Sequence, residues 1–501
     1  MREINKKKHR RVAKRRPLPT ALAIIYLVLA AAFAAMLIFL NVLPVIYLGV
    51  ALTLIILVTV LVVSFLLGKR ATAGQRIAGL VLSIVFIIVF LVGTIYIHST
   101  QDLFSKITTI GKSTEEYYVV VKKNEDAAPI KVEELEGKTV FIPNADSHSL
   151  TEACETLKGK VNVTTQKAEN TMKMDNRLLK GKYDAIMVSR TYYQMLEEDN
   201  DKFADNTDTI YTLRVEQEVE NFAKSVDKIA KTPFNVYISG IDTFGKIEEV
   251  SRSDVNMVVT VNPVTNSVLM TNIPRDSYVT LHSYQANDKL THAGVYGIEE
   301  SVKTIEDMLN TDINYYVRVN FSTVVDLVDA IGGIEVYSDY SFKTHGRQNR
   351  GYKFKKGWNK LNGKEALAFA RERYSFKDGD FQRNKNQEIV MKAMLKKILS
   401  SKTLLTKYTD ILDAVEDEMQ TNMSTADIQA LAKMQLKDMP DWKIATVAIS
   451  GGTGMDQCYS LGQPASVVYP DQAQVDRSKA RIKKALDGGE GADGEWTWEY
   501  D

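Results

Sequence analysis

Residues 314–336 read NYYVRVNFSTVVDLVDAIGGIEV, and their pattern decides the fold. Positions 315–319 read as a strand. Asn320 follows as an N-cap, a residue whose side chain can accept from a free backbone N–H of the first helical turn. Behind it Phe321, Val324, Val325, Val328 and Ile331 fall on one helical face. Gly332 and Gly333 end that helix, and 334–337 is the next strand. Strand, helix and strand in immediate succession belong to a mixed sheet with helices on it, not to a bundle or a sandwich.

Working outward, Phe234-Asn-Val-Tyr-Ile-Ser reads as a strand ending at Gly240. Positions 255–261 and 268–273 are strands joined by the turn-rich Asn262-Pro-Val-Thr-Asn266, and 298–309 has helical spacing. The expected fold class is therefore α/β (mixed α+β), with a large domain over 232–470. A smaller α/β domain is expected over 99–228, from strands at 138–142 and 183–189 and a helix at 149–157. The charged stretch 215–231 reads as a connection, with helix as one option. In 471–501 a basic helix precedes GGEGADGEWTWEYD, an acidic tail with the composition of disorder.

The other end of the chain reads as a membrane anchor. The first sixteen residues hold nine Lys or Arg and one Glu, and no charged residue occurs from Pro17 to Gly68. A span needs about 20 apolar residues to cross roughly 30 Å of hydrocarbon. Asn41 and Pro44 divide the long apolar stretch into spans at 18–40 and 45–67, and a third follows at 77–97. The basic start (1–17) and the GKRATAGQR loop should stay in the cytoplasm. Three spans within 18–98 then place everything after His98 outside the cell. No ionisable residue lies inside a span, which argues against a channel or transporter. Residues 98–501 carry 51 basic and 61 acidic side chains, so the outer part is net acidic and a nucleic-acid partner is not expected. Cys154 and Cys458 read as unpaired core residues.

Several chemistries are missing. There is no phosphate-binding Gly-Lys-Ser/Thr loop, no paired-histidine zinc helix and no Gly-x-Ser-x-Gly elbow. His148, His282, His292 and His345 have no evident nucleophile and carboxylate around them. What remains is Arg and Asp at turning points. Asp242 sits just past the first strand. Arg252 and Asp254, two apart, point to one side of an extended chain. Arg275 lies at a strand end, because Pro274 holds Ile273 extended. Arg371 and Arg373 would diverge by about 200° on a continuing helix, so they converge only if the chain leaves it near Ala370. Arg383 and Gln387 share a face at the start of a long helix, where the dipole suits anions. Two readings stand: ordinary ion pairs, or a polyphosphate site in which guanidinium forks hold phosphate oxygens and Asp242 and Asp254 hold a hard cation.

At these residues the chain resembles the LytR-CpsA-Psr (LCP) family of cell-wall glycopolymer phosphotransferases. The stretches that carry the likeness are FNVYISGIDT (234–243), SRSDVNMVVTVNP (251–263), NIPRDSYV (272–279), DKLTHAGVYG (288–297), 314–336 itself, LNGKEALAFARERY (361–374) and DFQRNKNQ (380–387). They come in the family's order. GVYG departs from the doubled glycine that the family often has after the tyrosine. Three spans and an accessory domain resemble the CpsA-like capsule-biosynthesis branch. The resemblance implies that Arg252, Arg275, Arg371, Arg373, Arg383 and Gln387 bind the pyrophosphate of a polyprenyl-pyrophosphate glycan. It implies that Asp242 and Asp254 coordinate Mg²⁺, with Asp242 as an alternative general base. Catalysis would then fall to Asp242, Arg252, Arg275, Arg371 and Arg373. An apolar tunnel for the lipid is also implied, with Met257, Val259, Leu269, Val325, Leu327 and Val328 as candidates. The expected reaction moves a glycan phosphate to a peptidoglycan hydroxyl, attaching capsular polysaccharide, with capsule-synthesis proteins as partners. The alternative is a non-catalytic membrane regulator or sensor that binds lipid-linked precursors. Protease added to intact protoplasts should digest the chain beyond His98, and protection of that region would overturn the topology.

Overall fold

The structure, a computed structural model, describes residues 17–108, 112–124, 130–144, 147–218, 221–241, 247, 249–345, 351–400, 407–415 and 418–488. The expected acidic tail from 489 lies outside them. The chain forms two compact units, Met1–Leu103 with Ala432–Lys437, and Phe104–Leu431 with Asp438–Asp501.

The first unit is built on α1 (Pro17–Leu40), α2 (Val45–Leu67) and α3 (Ala73–Thr108). All three are long and apolar enough to cross a membrane. Asn41 turns the chain between the first two in the left-handed conformation, φ 52°. Tyr26 is fully buried with its ring 5.6 Å from that of Phe90. Gly93 lets Phe33 lie against α3, since a Cβ there would come within 2.5 Å of the Phe33 ring. The third helix runs past the expected end at Ile97, because Leu103, Phe104 and Ile107 continue a buried face beyond His98.

In the second unit, β1 (Lys112–Lys122), β2 (Thr139–Ile142), β3 (Thr164–Lys167), β4 (Ala185–Ser189) and β5 (Thr207–Glu218) form one sheet in the order β3-β2-β4-β1-β5. Strands β3, β2 and β4 are parallel, and β1 is antiparallel to both β4 and β5. Helices α4 (His148–Lys160), α5 (Met174–Leu179) and α6 (Arg190–Asp199) accompany them. Ser147 and Ser189 cap α4 and α6 by accepting from Leu150 N–H and Tyr192 N–H. This is the expected small α/β domain, with one correction: residues 215–218 are not a connection. They finish β5, whose Leu213 and Val215 are buried against the face that carries Tyr117 and Val119.

The larger domain is centred on β6 (Phe234–Ile241), β7 (Ser253–Asn262) and β8 (Ser267–Ile273). After these come the short pair β9 (Tyr278–Thr280) and β10 (Asn287–Lys289), then α7 (Leu290–Ala293) and α8 (Ile298–Leu309). The stretch that opens the reading folds as foreseen, into β11 (Tyr315–Val319), α9 (Phe321–Ala330) and β12 (Ile334–Ser338). Asn320 Oδ1 accepts from Thr323 N–H at 2.9 Å, and both Gly332 and Gly333 have φ near +80°. Next are β13 (Phe342–Lys343), β14 (Lys353–Phe354), β15 (Gly357–Leu361), α10 (Gly363–Arg371), α11 (Gly379–Ile398) and α12 (Tyr408–Val415). The chain closes with β16 (Met419–Thr421), α13 (Thr425–Asp438), β17 (Lys443–Ala448), β18 (Gly451–Cys458), β19 (Gln463–Pro470) and α14 (Gln472–Leu486). The main sheet runs β16-β11-β6-β7-β8-β17, with β11 parallel to β6 and β17 parallel to β8.

Alternation along these strands gives the sheet two apolar faces. Tyr237, Val258 and Leu269 face α8 and α14. Met257, Val268 and Met270 face the other way, toward Met391 and Leu395 of α11. A third cluster joins α9, α10, α11 and the β12–β15 pair around Val328, Phe369 and Val390. The helix beyond 470, set apart from the large domain in the sequence reading, shares its core through Val475, Ile482 and Ala485. Truncating Ile482 to Ala should therefore lower the stability of the detergent-solubilised chain by about 2–5 kcal/mol in a denaturant titration. No change would place α14 outside the core.

Candidate functional site

The sheet delivers charged residues to one end. Strand β7 begins at Ser253, so Arg252 and Asp254 flank its first residue. Strand β8 ends at Ile273, and Arg275 follows Pro274. Arg275 Nη1 donates to Asp254 Oδ1 at 2.7 Å. Burial alone pushes the Asp254 carboxyl up, but the guanidiniums of Arg275, Arg252 and Arg383 outweigh it and hold it well below the usual carboxylate range. Arg383 reaches this group from α11 and is itself buried. A neighbouring carboxylate repeats the pattern: burial raises Asp276, while Arg275, Lys289 and Arg383 bring it below its ordinary value. Lys289 Nζ lies 3.1 Å from Asp276 Oδ1.

Arg371 and Arg373 enter from α10. The helix ends at Arg371, and Glu372 is extended with ψ 130°, so the condition for the two arginines to leave the helical spiral is met. Glu372 anchors the break. Its buried carboxylate accepts from His345 N–H and Ser375 N–H, both at 2.9 Å. Arg371 lies over the Phe321 ring, 4.0 Å from its centroid, and Arg373 Nη2 donates to Tyr374 Oη at 2.8 Å. The end of α10 packs on the start of α11: Asn386 Nδ2 donates to Phe369 O at 3.1 Å, and a Cβ at Gly379 would come within 2.9 Å of Arg373 O. Gln387 follows Arg383 by one turn, and its Oε1 is buried without a hydrogen-bond partner among the described residues.

Arg252, Asp254, Arg275 and Arg383 thus share one electrostatic environment, Gln387 follows Arg383 along α11, and Arg371 and Arg373 stand at the end of α10, which packs on the start of α11. Asp242 lies outside the described residues. Sequence reasoning missed Asp276 and Lys289. The pairing of β9 with β10, which sets Lys289 opposite Tyr278, is the signal that places Lys289 there.

Of the tunnel candidates, Met257 and Val259 lie on the α11 side of the sheet, whereas Leu269 faces α8 on the opposite side. Val328 is fully buried, and Val325 and Leu327 are half-buried. On the α11 side Ile238, Val259, Val261 and Val317 are also half-buried, although β6, β7 and β11 are interior strands.

The histidines need a correction. His292 does have a carboxylate and a hydroxyl beside it: Nδ1 is 2.6 Å from Asp288 Oδ1 and 2.9 Å from Ser460 Oγ. Both partners meet the same nitrogen and all three residues are buried, so this is not the relay of a hydrolase, in which nucleophile and carboxylate contact different nitrogens of the histidine. Both cysteines are buried and free, as expected. No group of three or more metal-ligating side chains occurs among the described residues. Asp254 nevertheless fits the donor chemistry that Mg²⁺ takes, since Mg²⁺ is commonly held by one or two carboxylates plus substrate oxygens and water.

The geometry is that of a mixed α/β domain with a guanidinium cluster around a largely buried carboxylate at one end of the sheet. The chain belongs to the LytR_cpsA_psr family, whose model matches residues 201–484. It is 36% identical over 254 residues to the Bacillus anthracis polyisoprenyl-teichoic acid–peptidoglycan teichoic acid transferase TagU, covering 47% of this chain and 81% of that one. The Enterococcus faecalis protein of the same name is 37% identical over 218 residues, covering 43% and 70%. A crystal structure of B. subtilis TagV is 30% identical, over 51% of this chain and 98% of that one, with a TM-score of 0.44.

Because the Asp254 pKa is depressed in the folded chain, its stabilisation is complete above the unfolded value of about 3.9 and is lost as pH falls through the folded value. Asp254→Asn should cost roughly 3 kcal/mol at neutral pH, by leaving Arg275 without its carboxylate, and the gap to the parent should narrow below about pH 4. A gap that stays constant in urea titrations down to pH 3 would show that Asp254 is not held ionised.

Proposed function

We propose that the chain is a phosphotransferase that moves a glycan phosphate from a polyprenyl-pyrophosphate carrier to a peptidoglycan hydroxyl. The observation that carries this reading is the largely buried Asp254, which accepts from Arg275 Nη1 at 2.7 Å and lies within the field of Arg252 and Arg383. Arg252, Arg275, Arg383 and Lys289 outnumber Asp254, Asp276 and Glu198, which leaves an excess of positive charge suited to a phosphate. The named activity of the TagU relatives supports the substrate class. Capsular polysaccharide is the glycan we propose, on the ground that three apolar helices and an accessory domain precede the matched region.

In this reading the acceptor oxygen attacks the phosphorus next to the sugar. The bond from that phosphorus to the bridging oxygen breaks, polyprenyl phosphate leaves with the electron pair, and the hydroxyl proton passes to solvent. The glycan is left on the wall through a phosphodiester. Arg252, Arg275 and Arg383 bind and orient the two phosphates, and Arg371, Arg373 and Gln387 add donors from the α10–α11 side. Asp254, together with Asp242, would hold Mg²⁺, which when bound would supply charge neutralisation for the phosphates. The half-buried apolar row of Ile238, Val259 and Val317 is the bed we assign to the first isoprene units, with the chain anchored in the membrane and the domain outside the cell.

Arg371→Lys and Arg373→Lys should each lower turnover about ten- to a hundred-fold, since lysine keeps the charge and loses the fork. The assay gives the purified chain Mg²⁺, a polyprenyl-pyrophosphate glycan and wall fragments, and follows polyprenyl phosphate. Binding of the lipid without product from any acceptor, together with normal glycan attachment in cells carrying Arg371→Ala, would replace the enzyme with a membrane sensor.

A further inference from the structure

The accessory domain touches the site. Arg252 Nη1 and Nη2 donate to Glu198 Oε2 and Oε1 at 2.9 and 2.6 Å. Glu198 is on α6, in the domain before the family-matched region, which starts at residue 201. The same helix grips the backbone leading to Arg252. Arg190 is ion-paired with Glu249, and Thr191 Oγ1 donates to Val250 O at 3.0 Å. Strand β1 adds Val250 N–H to Thr114 O at 3.2 Å. From inside the large domain, Arg318 Nη2 donates to Glu249 O at 2.9 Å. Residues 249–252 are therefore held between the two domains immediately before β7 begins.

We infer that Glu198 is a positioning residue of the phosphate site, and that through it the accessory domain aims the Arg252 guanidinium. The argument is geometric. An Arg fork has two edges that can each take a pair of oxygens, the end with Nη1 and Nη2 and the side with Nε. Glu198 occupies the end edge, so the side edge is left for a phosphate. Arg252 has four rotatable bonds, and its side chain is 12% exposed. Fixing one edge fixes the direction of the other. Glu198 is 58% exposed, so solvent screens the pair and it adds little to stability. What it supplies is orientation, the direction in which the other edge of Arg252 meets a bound phosphate.

The inference rests on the arginine cluster being a pyrophosphate site, so its test begins with binding rather than turnover. The full chain in detergent is titrated with a polyprenyl pyrophosphate lacking any glycan. Glu198→Ala should weaken binding about five- to ten-fold, and in the transfer assay should raise KM by a similar factor with kcat nearly unchanged. In the Arg252→Ala background, Glu198→Ala should have no further effect, because its partner is gone. Glu198→Gln, which keeps the shape and one good acceptor, should fall between parent and Ala, and it substitutes for Glu198→Ala if that variant does not fold. Equal losses with and without Arg252 would overturn the inference. Tighter binding in Glu198→Ala would overturn it too, by showing that Glu198 stands where the phosphate goes. If the parent chain binds the probe and turns over no acceptor, the transferase reading fails while the binding cycle still decides the role of Glu198.

Discussion

Three guanidinium groups meet at one carboxylate, and their mutual repulsion is the constraint that the rest of the domain has to satisfy. Arg275 bears on Arg252 as a like charge, a repulsion that the neighbouring carboxylates have to offset. Arg252, Arg275 and Arg383 come from three separate places: the entry of β7, the exit of β8 and the second turn of α11. Asp254 lies among them and Asp276 beside Arg275 and Lys289. The antiparallel pairing of β7 with β8 supplies part of the solution, since Asn256 pairs with Ile273 and so brings residues 254 and 275 to the same end of the sheet. The helix supplies the rest through Asn384 O, which accepts from Asn272 Nδ2 at 2.9 Å and ties α11 to β8 one residue after Arg383.

The same arrangement explains why two faces of the sheet differ. The α8–α14 face is filled by Tyr237, Val258, Leu269 and the helices over them, and it carries the stability of the domain. The α11 face holds the helix that presents Arg383 and Gln387, and along it Ile238, Val259 and Val317 keep part of their surface open. A closed core and a partly open apolar bed thus share one set of strands, by the simple alternation of residues along them.

Much of this was legible in the sequence because the signals were local. The unit at 314–336 announced itself through an N-cap, a helical stripe and two glycines, and each of those devices is present. The break after Arg371 could be read as a condition, since two arginines at that spacing serve one ligand only if the helix stops; what stops it, a buried Glu372 bonded to the backbone of His345 and Ser375, involves a residue 27 positions away and was out of reach. Strands β1 and β5 were obscured because KSTEEYYVVVK and TDTIYTLRVEQE interleave charges with their apolar residues, so the alternation looks like a solvated segment until the two pair. Asp276 and Lys289 lie inside the stretches 272–279 and 288–297, but nothing local marks the ion pair that joins them. Glu198 is a more instructive case. On α6 it is one acid among several in RTYYQMLEED, and nothing in its own neighbourhood distinguishes it from Glu197 or Asp199. Its partner is 54 residues away in another domain.

The two thiols have a practical bearing. Cys458 is fully buried, and burial pushes its pKa up to about 12; Cys154 is also buried and its pKa raised. A thiol reacts as its thiolate, so neither side chain is a ready target for maleimide or for a spin label at neutral pH. The chain is in effect silent toward such reagents without any engineering. A single cysteine introduced on an exposed helix position would report alone, and distances between the accessory domain and the sheet could be measured in intact membranes on an otherwise native protein.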